Sequence, residues 1–154
     1  MKSIEEVLLQ IVALVVDDNP EDQGTLAVHL KGIGAREVLR ASGGKEAFNL
    51  LRKLPRPVDL IIADVNMPEG NGLQLLQGLR AGLIKGMRAN ATFVLTTDHP
   101  EVGIIQTAGA LDANGFIAKP FKPEKFEAAI LKARRTIFPP NSGRHAEVFV
   151  PETI

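Results

Sequence analysis

The stretch Val58-Asp59-Leu60-Ile61-Ile62-Ala63-Asp64, followed at once by Val65-Asn66-Met67-Pro68-Glu69-Gly70-Asn71-Gly72, decides how this chain folds. Its apolar run fits a strand buried on both faces, as in a parallel sheet. The run ends on a carboxylate and breaks into a turn rich in proline and glycine. A carboxylate at the end of a buried strand is costly unless something uses it. Asp64 is therefore the first candidate functional residue.

Working outward, three other apolar runs end on polar groups. Residues 11–16 end in Asp17-Asp18, Phe93-Val94-Leu95 in Thr96-Thr97, and Phe116-Ile117-Ala118 in Lys119-Pro120. Residues 37–41 alternate more and suit an edge strand. Helical stripes lie between the runs. Asn19-Pro20 is a cap with a first-turn proline. Leu26, Leu30 and Ile33 follow, and Gly32 and Gly34 end that helix. Ala47, Leu50, Leu51 and Leu54 precede Pro55. Leu75, Leu76, Leu79 and Leu83 mark a helix starting near Asn71. Residues 101–110 form a weak helix with Gly103 and Gly109. Phe126, Ala129, Ile130, Ala133 and Ile137 form the last strong stripe. Residues 1–9 read as a short helix or flexible lead, and residues 80–92 as a long loop.

Five strands alternating with helices predict an α/β fold, an open parallel sheet with helices on both faces. Ligands of such sheets sit beyond the carboxyl ends of the strands. Asp17, Asp18, Asp64, Thr96 and Lys119 all fall there.

Composition narrows the classes. The chain has 154 residues, 45% of them hydrophobic, which suits one domain with a core. Its 18 basic residues balance 18 acidic ones, so no electrostatic footprint for nucleic acid is present. There is no cysteine, which excludes disulfides and thiolate sites. No apolar run approaches the ~20 residues of a membrane helix, and the first residues are not a signal peptide. These features suggest a soluble, cytoplasmic protein.

Up to three carboxylates side by side repel one another unless a cation sits among them. Oxygen-only ligands suit magnesium, whereas zinc lacks its cysteines or a histidine pair. Asp64 is then either a metal ligand only or a phosphoryl acceptor as well. Lys119 offers a point charge and Thr96 a hydroxyl for phosphoryl oxygens.

Together, Val15-Val16-Asp17-Asp18-Asn19, Asp64-Val65-Asn66-Met67-Pro68 with Gly72, Leu95-Thr96, and Gly115-Phe116-Ile117-Ala118-Lys119-Pro120-Phe121 carry a family resemblance. The chain resembles a stand-alone, chemotaxis-regulator-like receiver domain of bacterial response regulators. The resemblance implies a flavodoxin-like strand order 2-1-3-4-5 and a receiver over residues 11–137, with a lead at 1–10 and a tail at 138–154. It implies that Asp64 accepts the phosphoryl group. Asp17, Asp18, Asp64 and the Asn66 carbonyl would hold Mg2+. Thr96 and Phe116 would be switch residues, and Lys119 the active-site lysine before a cis proline. It implies a sensor histidine kinase or phosphotransfer protein as donor and a downstream protein target met through residues 101–137. A homodimer is compatible, nucleic acid and membrane are not expected partners, and the chain would not be an enzyme beyond its own phosphoryl transfer.

Some positions depart from the family pattern. Thr97 stands where a small residue is usual and is expected to slow small phosphodonors. Phe116 replaces a frequent tyrosine. Asn66 and Asp98 occupy positions that influence dephosphorylation. After Ile137 no output domain is expected, only a tail. Its run 147–150 could pair with a sheet edge, although a frayed terminus is the simpler expectation. His29, His99 and His145 read as surface residues. Three other readings compete. A haloacid dehalogenase-type phosphatase needs a second aspartate where Asn66 stands. A dinucleotide-binding enzyme needs a glycine motif that the first strand lacks. A pseudo-receiver scaffold would use none of the phosphorylation residues.

Overall fold

The computed structural model describes residues 1–154. Five parallel strands lie in the order β2-β1-β3-β4-β5. They are β1 (Val12–Val16), β2 (Glu37–Ala41), β3 (Leu60–Asp64), β4 (Thr92–Thr97) and β5 (Gly115–Ala118). The helices are α1 (Ile4–Leu9), α2 (Pro20–Ile33), α3 (Gly44–Lys53), α4 (Gly72–Arg80), α5 (Val102–Ala110), α6 (Pro123–Arg135) and α7 (Ser142–Ala146). The alternating side chains of the strands feed two cores. Leu60 and Ile62 pack with Val94, Phe126 and Ile130 toward α2 and α6. Ile61 and Ala63 pack with Leu14, Leu73, Phe93 and Leu95 toward α3 and α4. Burial on both faces is why these strands read as unbroken apolar runs.

Local chemistry sets the ends. Asn19 Oδ1 caps α2 by accepting the Glu21 and Asp22 amides, at 2.9 and 3.3 Å. Asn71 and Gln74 form a reciprocal capping box on α4. Gly72 is required there, because a Cβ would collide with the Asp64 carbonyl and with Leu95. Several boundaries differ from the sequence expectation. β3 begins at Leu60 because the Asp59 carboxylate takes the Val12 amide at 2.9 Å in place of a ladder bond. α4 ends at Arg80 rather than near Leu83, where Gly82 turns at φ 79°. α6 ends at Arg135, short of the exposed Ile137.

The tail overturns two expectations. Residues 147–150 join no sheet edge, and the terminus is not frayed. Gln77 Nε2 donates to the His145 and Val148 carbonyls at 3.0 and 2.6 Å, and Asn71 Nδ2 donates to the Pro151 carbonyl at 2.9 Å. Val148, Val150 and Ile154 lie on the α3–α4 core. His145, read as a surface residue, is 1% exposed and shares Asp112 with Arg144. The reason is distance in sequence: its partner stands 33 positions earlier. No helix is long and apolar enough to cross a membrane.

Candidate functional site

The polar residues at the strand ends meet at one edge of the sheet. Asp64 ends β3 and Thr96 is its register partner on β4. Asp17 directly follows β1, and Lys119 directly follows β5, its amide bonded to the Thr97 carbonyl at 2.8 Å. The Lys119–Pro120 peptide is cis. Carboxylate oxygens of Asp17, Asp18 and Asp64 lie within 4.8 Å of one another. Asp17 and Asp64 are buried and Asp18 is exposed, so the cluster has a closed floor and a wet side. Asn66 is also exposed, on the loop above it.

Asp17 is held from both ends. Its Oδ1 accepts the Asn19 amide at 2.9 Å, and Gln23 Nε2, itself buried, donates to the Asp17 carbonyl at 2.6 Å. Lys119 spans the cluster. Its Nζ lies 2.9 Å from Asp22 Oδ2, 3.0 Å from Asp17 Oδ2 and 3.5 Å from Asp64 Oδ2. Sequence reading did not single out Asp22 or Gln23. Both lie one turn into α2, where a polar residue reads as an ordinary first-turn group, and only the fold shows what they touch.

The electrostatics follow from crowding and burial. Burial pushes the Asp64 carboxyl up to about 6; the Lys119 charge opposes this and the Asp17 charge adds to it. Burial likewise raises Asp17, against the Asn19 amide and Lys119. Burial alone would lower the Lys119 ammonium, but its bonds to Asp22 and Asp17 and the charge of Asp64 outweigh that and raise it. Lys119 therefore stays charged, while the carboxylates outnumber it. Thr96 Oγ1 is buried without a hydrogen-bond partner. A lone buried hydroxyl beside an anionic pocket is a donor with nothing yet to bond. Thr97 is also buried, and its Oγ1 accepts the His99 amide at 3.1 Å. Phe116 is half-buried against the α3–α4 core.

Comparison with known proteins agrees with this architecture. Residues 13–131 match the response regulator receiver domain. A probable chemotaxis protein CheY of Rhizobium etli is 31% identical over 121 residues, 79% of this chain and 90% of that one. A chemotaxis protein CheY homolog of Campylobacter jejuni is 37% identical over 72% of this chain and 82% of its own length. Among solved structures, chemotaxis protein CheY4 of Vibrio cholerae superposes with a TM-score of 0.70 at 27% identity, over 79% of this chain and 97% of that one. The receiver domain of a Pseudomonas aeruginosa sensor histidine kinase, solved with magnesium in its active site cleft, shares the fold with a TM-score of 0.68 at 21% identity, over 82% of this chain and 98% of that one. A family match across the whole sheet, with two relatives above 30% identity aligned over most of their own length, makes this chain a member of the response regulator receiver domains.

Proposed function

We propose that the chain accepts a phosphoryl group on Asp64 from a phosphohistidine and thereby switches a partner-binding surface. The observation that carries this reading is the Lys119 ammonium 3.5 Å from Asp64 Oδ2, at a pocket that also holds the partnerless Thr96 hydroxyl. In the transfer, an Asp64 carboxylate oxygen forms the new O–P bond as the P–N bond of the donor breaks. The electron pair of that bond goes to the imidazole nitrogen. Lys119 balances charge on the phosphoryl oxygens, and Thr96 donates a hydrogen bond to one of them.

The donor set fits a magnesium ion. Three carboxylates within 4.8 Å, one of them exposed, suit a hard cation that keeps several waters. Asp17, Asp18, Asp64 and the Asn66 carbonyl would hold it. When bound, it supplies neutralisation of charge on the carboxylates and on the incoming phosphoryl group.

Phosphorylation replaces the single negative charge of the Asp64 carboxylate by an acyl phosphate of about −1.5 to −2, and it brings three strong acceptor oxygens. On this reading Thr96 and Lys119 are drawn toward the new group, and the change is passed to the face formed by α5, β5 and α6, where Phe116 sits. α5 is suited to move, because Ala108 is its one buried residue while Val102 and Ile105 are exposed. A sensor kinase or phosphotransfer protein supplies the phosphoryl group, a downstream protein reads the face, and both act in the cytoplasm. Catalysis is confined to the chain's own phosphoryl transfer and its slow loss.

Intact-mass measurement after incubation with acetyl phosphate, with and without magnesium, tests this. One added phosphoryl group that needs the metal and disappears in Asp64→Asn is expected. No gain from acetyl phosphate or from a panel of histidine kinases would leave only a phosphorylation-independent scaffold.

A further inference from the structure

Lys119 has one carboxylate partner that phosphoryl acceptance does not require. Its three ammonium protons face three carboxylates, and the closest is Asp22 at 2.9 Å, against 3.5 Å for Asp64. Asp17 and Asp64 belong to the floor of the pocket; Asp22 stands apart from them on the first turn of α2, where the Asn19 cap fixes its backbone. Its side chain is 33% exposed, while that of Lys119 is 8% exposed. With Thr25, Asp98 and Phe121, Asp22 also lines a shallow cleft that opens beside Lys119.

We propose that Asp22 is a positioning residue that holds Lys119 back from Asp64 in the unphosphorylated chain and so slows phosphoryl acceptance. The inference rests on the acceptor reading of Asp64. A phosphoryl oxygen that recruits Lys119 must take the place of one existing partner. The contact to Asp64, the longest at 3.5 Å, lies on the acceptor itself, and the contact to Asp17 is braced by the Asn19 amide and by Gln23, so the contact to Asp22, at the rim, is the competing one that gives way. A charge-assisted bond is about twice as strong as a neutral one, so exchanging it slows the step. Asp22 therefore acts through Lys119 and does not touch the reacting atoms.

The test compares Asp22→Asn, which keeps the shape and removes the charge, with the unaltered chain. Phosphorylation by acetyl phosphate with excess magnesium is expected to be about threefold faster or more, on the scale of the difference between a charge-assisted and a neutral hydrogen bond. Asp22→Glu, which restores a carboxylate, is expected to return most of the slow rate. In a Lys119→Gln background the gain from Asp22→Asn is expected to vanish. A gain that persists there means simple repulsion of an anionic donor by Asp22, and it overturns the proposal. The Lys119 ammonium resonance, observed by NMR in the unphosphorylated chain, is expected to exchange faster with water in Asp22→Asn; an unchanged resonance overturns the proposal as well. If the unaltered chain is phosphorylated and Asp22→Asn is no faster, this inference alone fails. If the unaltered chain takes no phosphoryl group from any donor, the acceptor reading fails and the inference with it.

Discussion

Lys119 and Arg80 are both buried cations, and they are satisfied in opposite ways. Lys119 faces the carboxylates of Asp22, Asp17 and Asp64. Arg80, 1% exposed, donates to the carbonyls of Leu111, Ala89, Ala91 and Asp112 and to Asn114 Oδ1, all between 2.8 and 3.1 Å. Burial lowers the Arg80 guanidinium to about 10, against the charge of Asp112, so it is still a cation at neutral pH. Fixed backbone dipoles from the 80–92 loop and the α5–β5 turn hold it, and none of them can leave. Arg80 is a rivet that joins three segments. Lys119 sits among three competing carboxylates, one of them on the part-exposed rim, and can trade one partner for another. A cation bound by neutral carbonyls stabilises the fold, whereas a cation bound by competing anions is ready to exchange them.

The largest expected effect is on the rivet. Arg80→Leu leaves buried carbonyls without donors and should cost about 3–5 kcal/mol of stability, read from urea unfolding. A loss below about 1 kcal/mol would show that the carbonyls find water or other donors, and the contrast would collapse. The opposite signature is expected at the exchanger. Lys119→Gln should slow phosphorylation by about a hundredfold, as loss of one preorganised charge does, while changing stability far less than Arg80→Leu. Equal damage to folding from both variants would remove the distinction.

Asp64 sharpens the contrast through pH. Its folded-state value, about 6, lies above the ordinary 3.8. The folded chain thus holds that proton more tightly than the unfolded one. Ionising Asp64 therefore costs stability as pH rises from about 4 to about 6, and the cost stays in full above that range. Asp64→Asn removes it. Without divalent cation the variant should be more stable by about 1–3 kcal/mol at pH 8, with the advantage fading toward pH 4. Thermal unfolding across that range measures it; an advantage that grows on acidification would reverse the sign argued here.

Smaller effects are expected at the tail. Gln77→Ala removes two bonds to the tail, one to His145 in α7 and one to Val148 just beyond it, and should cost about 1–2 kcal/mol, with faster hydrogen exchange confined to residues 142–152. Thr97→Ala should be the mildest change. It frees the His99 amide and is expected to speed phosphorylation by small donors by less than about tenfold.

Much of the fold was legible because it rests on short-range patterns. Asp64 closing a run of Leu60-Ile61-Ile62-Ala63 announces a buried parallel strand by itself. Asn19-Pro20 and Asn71 announce helix starts by their chemistry. The shared position of Asp17, Asp64, Thr96 and Lys119 at strand ends is enough to gather them, because the strands are parallel neighbours. Strand ends at Leu60 and Thr97 were less legible, since Asp59 and Thr97 make side-chain bonds that no periodicity records.

The sequence alone determined the sheet, its helical layers and the residues gathered at its carboxyl edge, because alternation, caps and breakers act within a few residues. Only the tertiary structure decided that Asp22 holds Lys119, that Arg80 is a rivet rather than a surface charge, and that His145 and the tail are packed. Those facts are contacts across 9 to 97 positions in the chain. Nothing in the local sequence prefers such a partner; it is chosen by which groups the folded backbone leaves buried and unpaired.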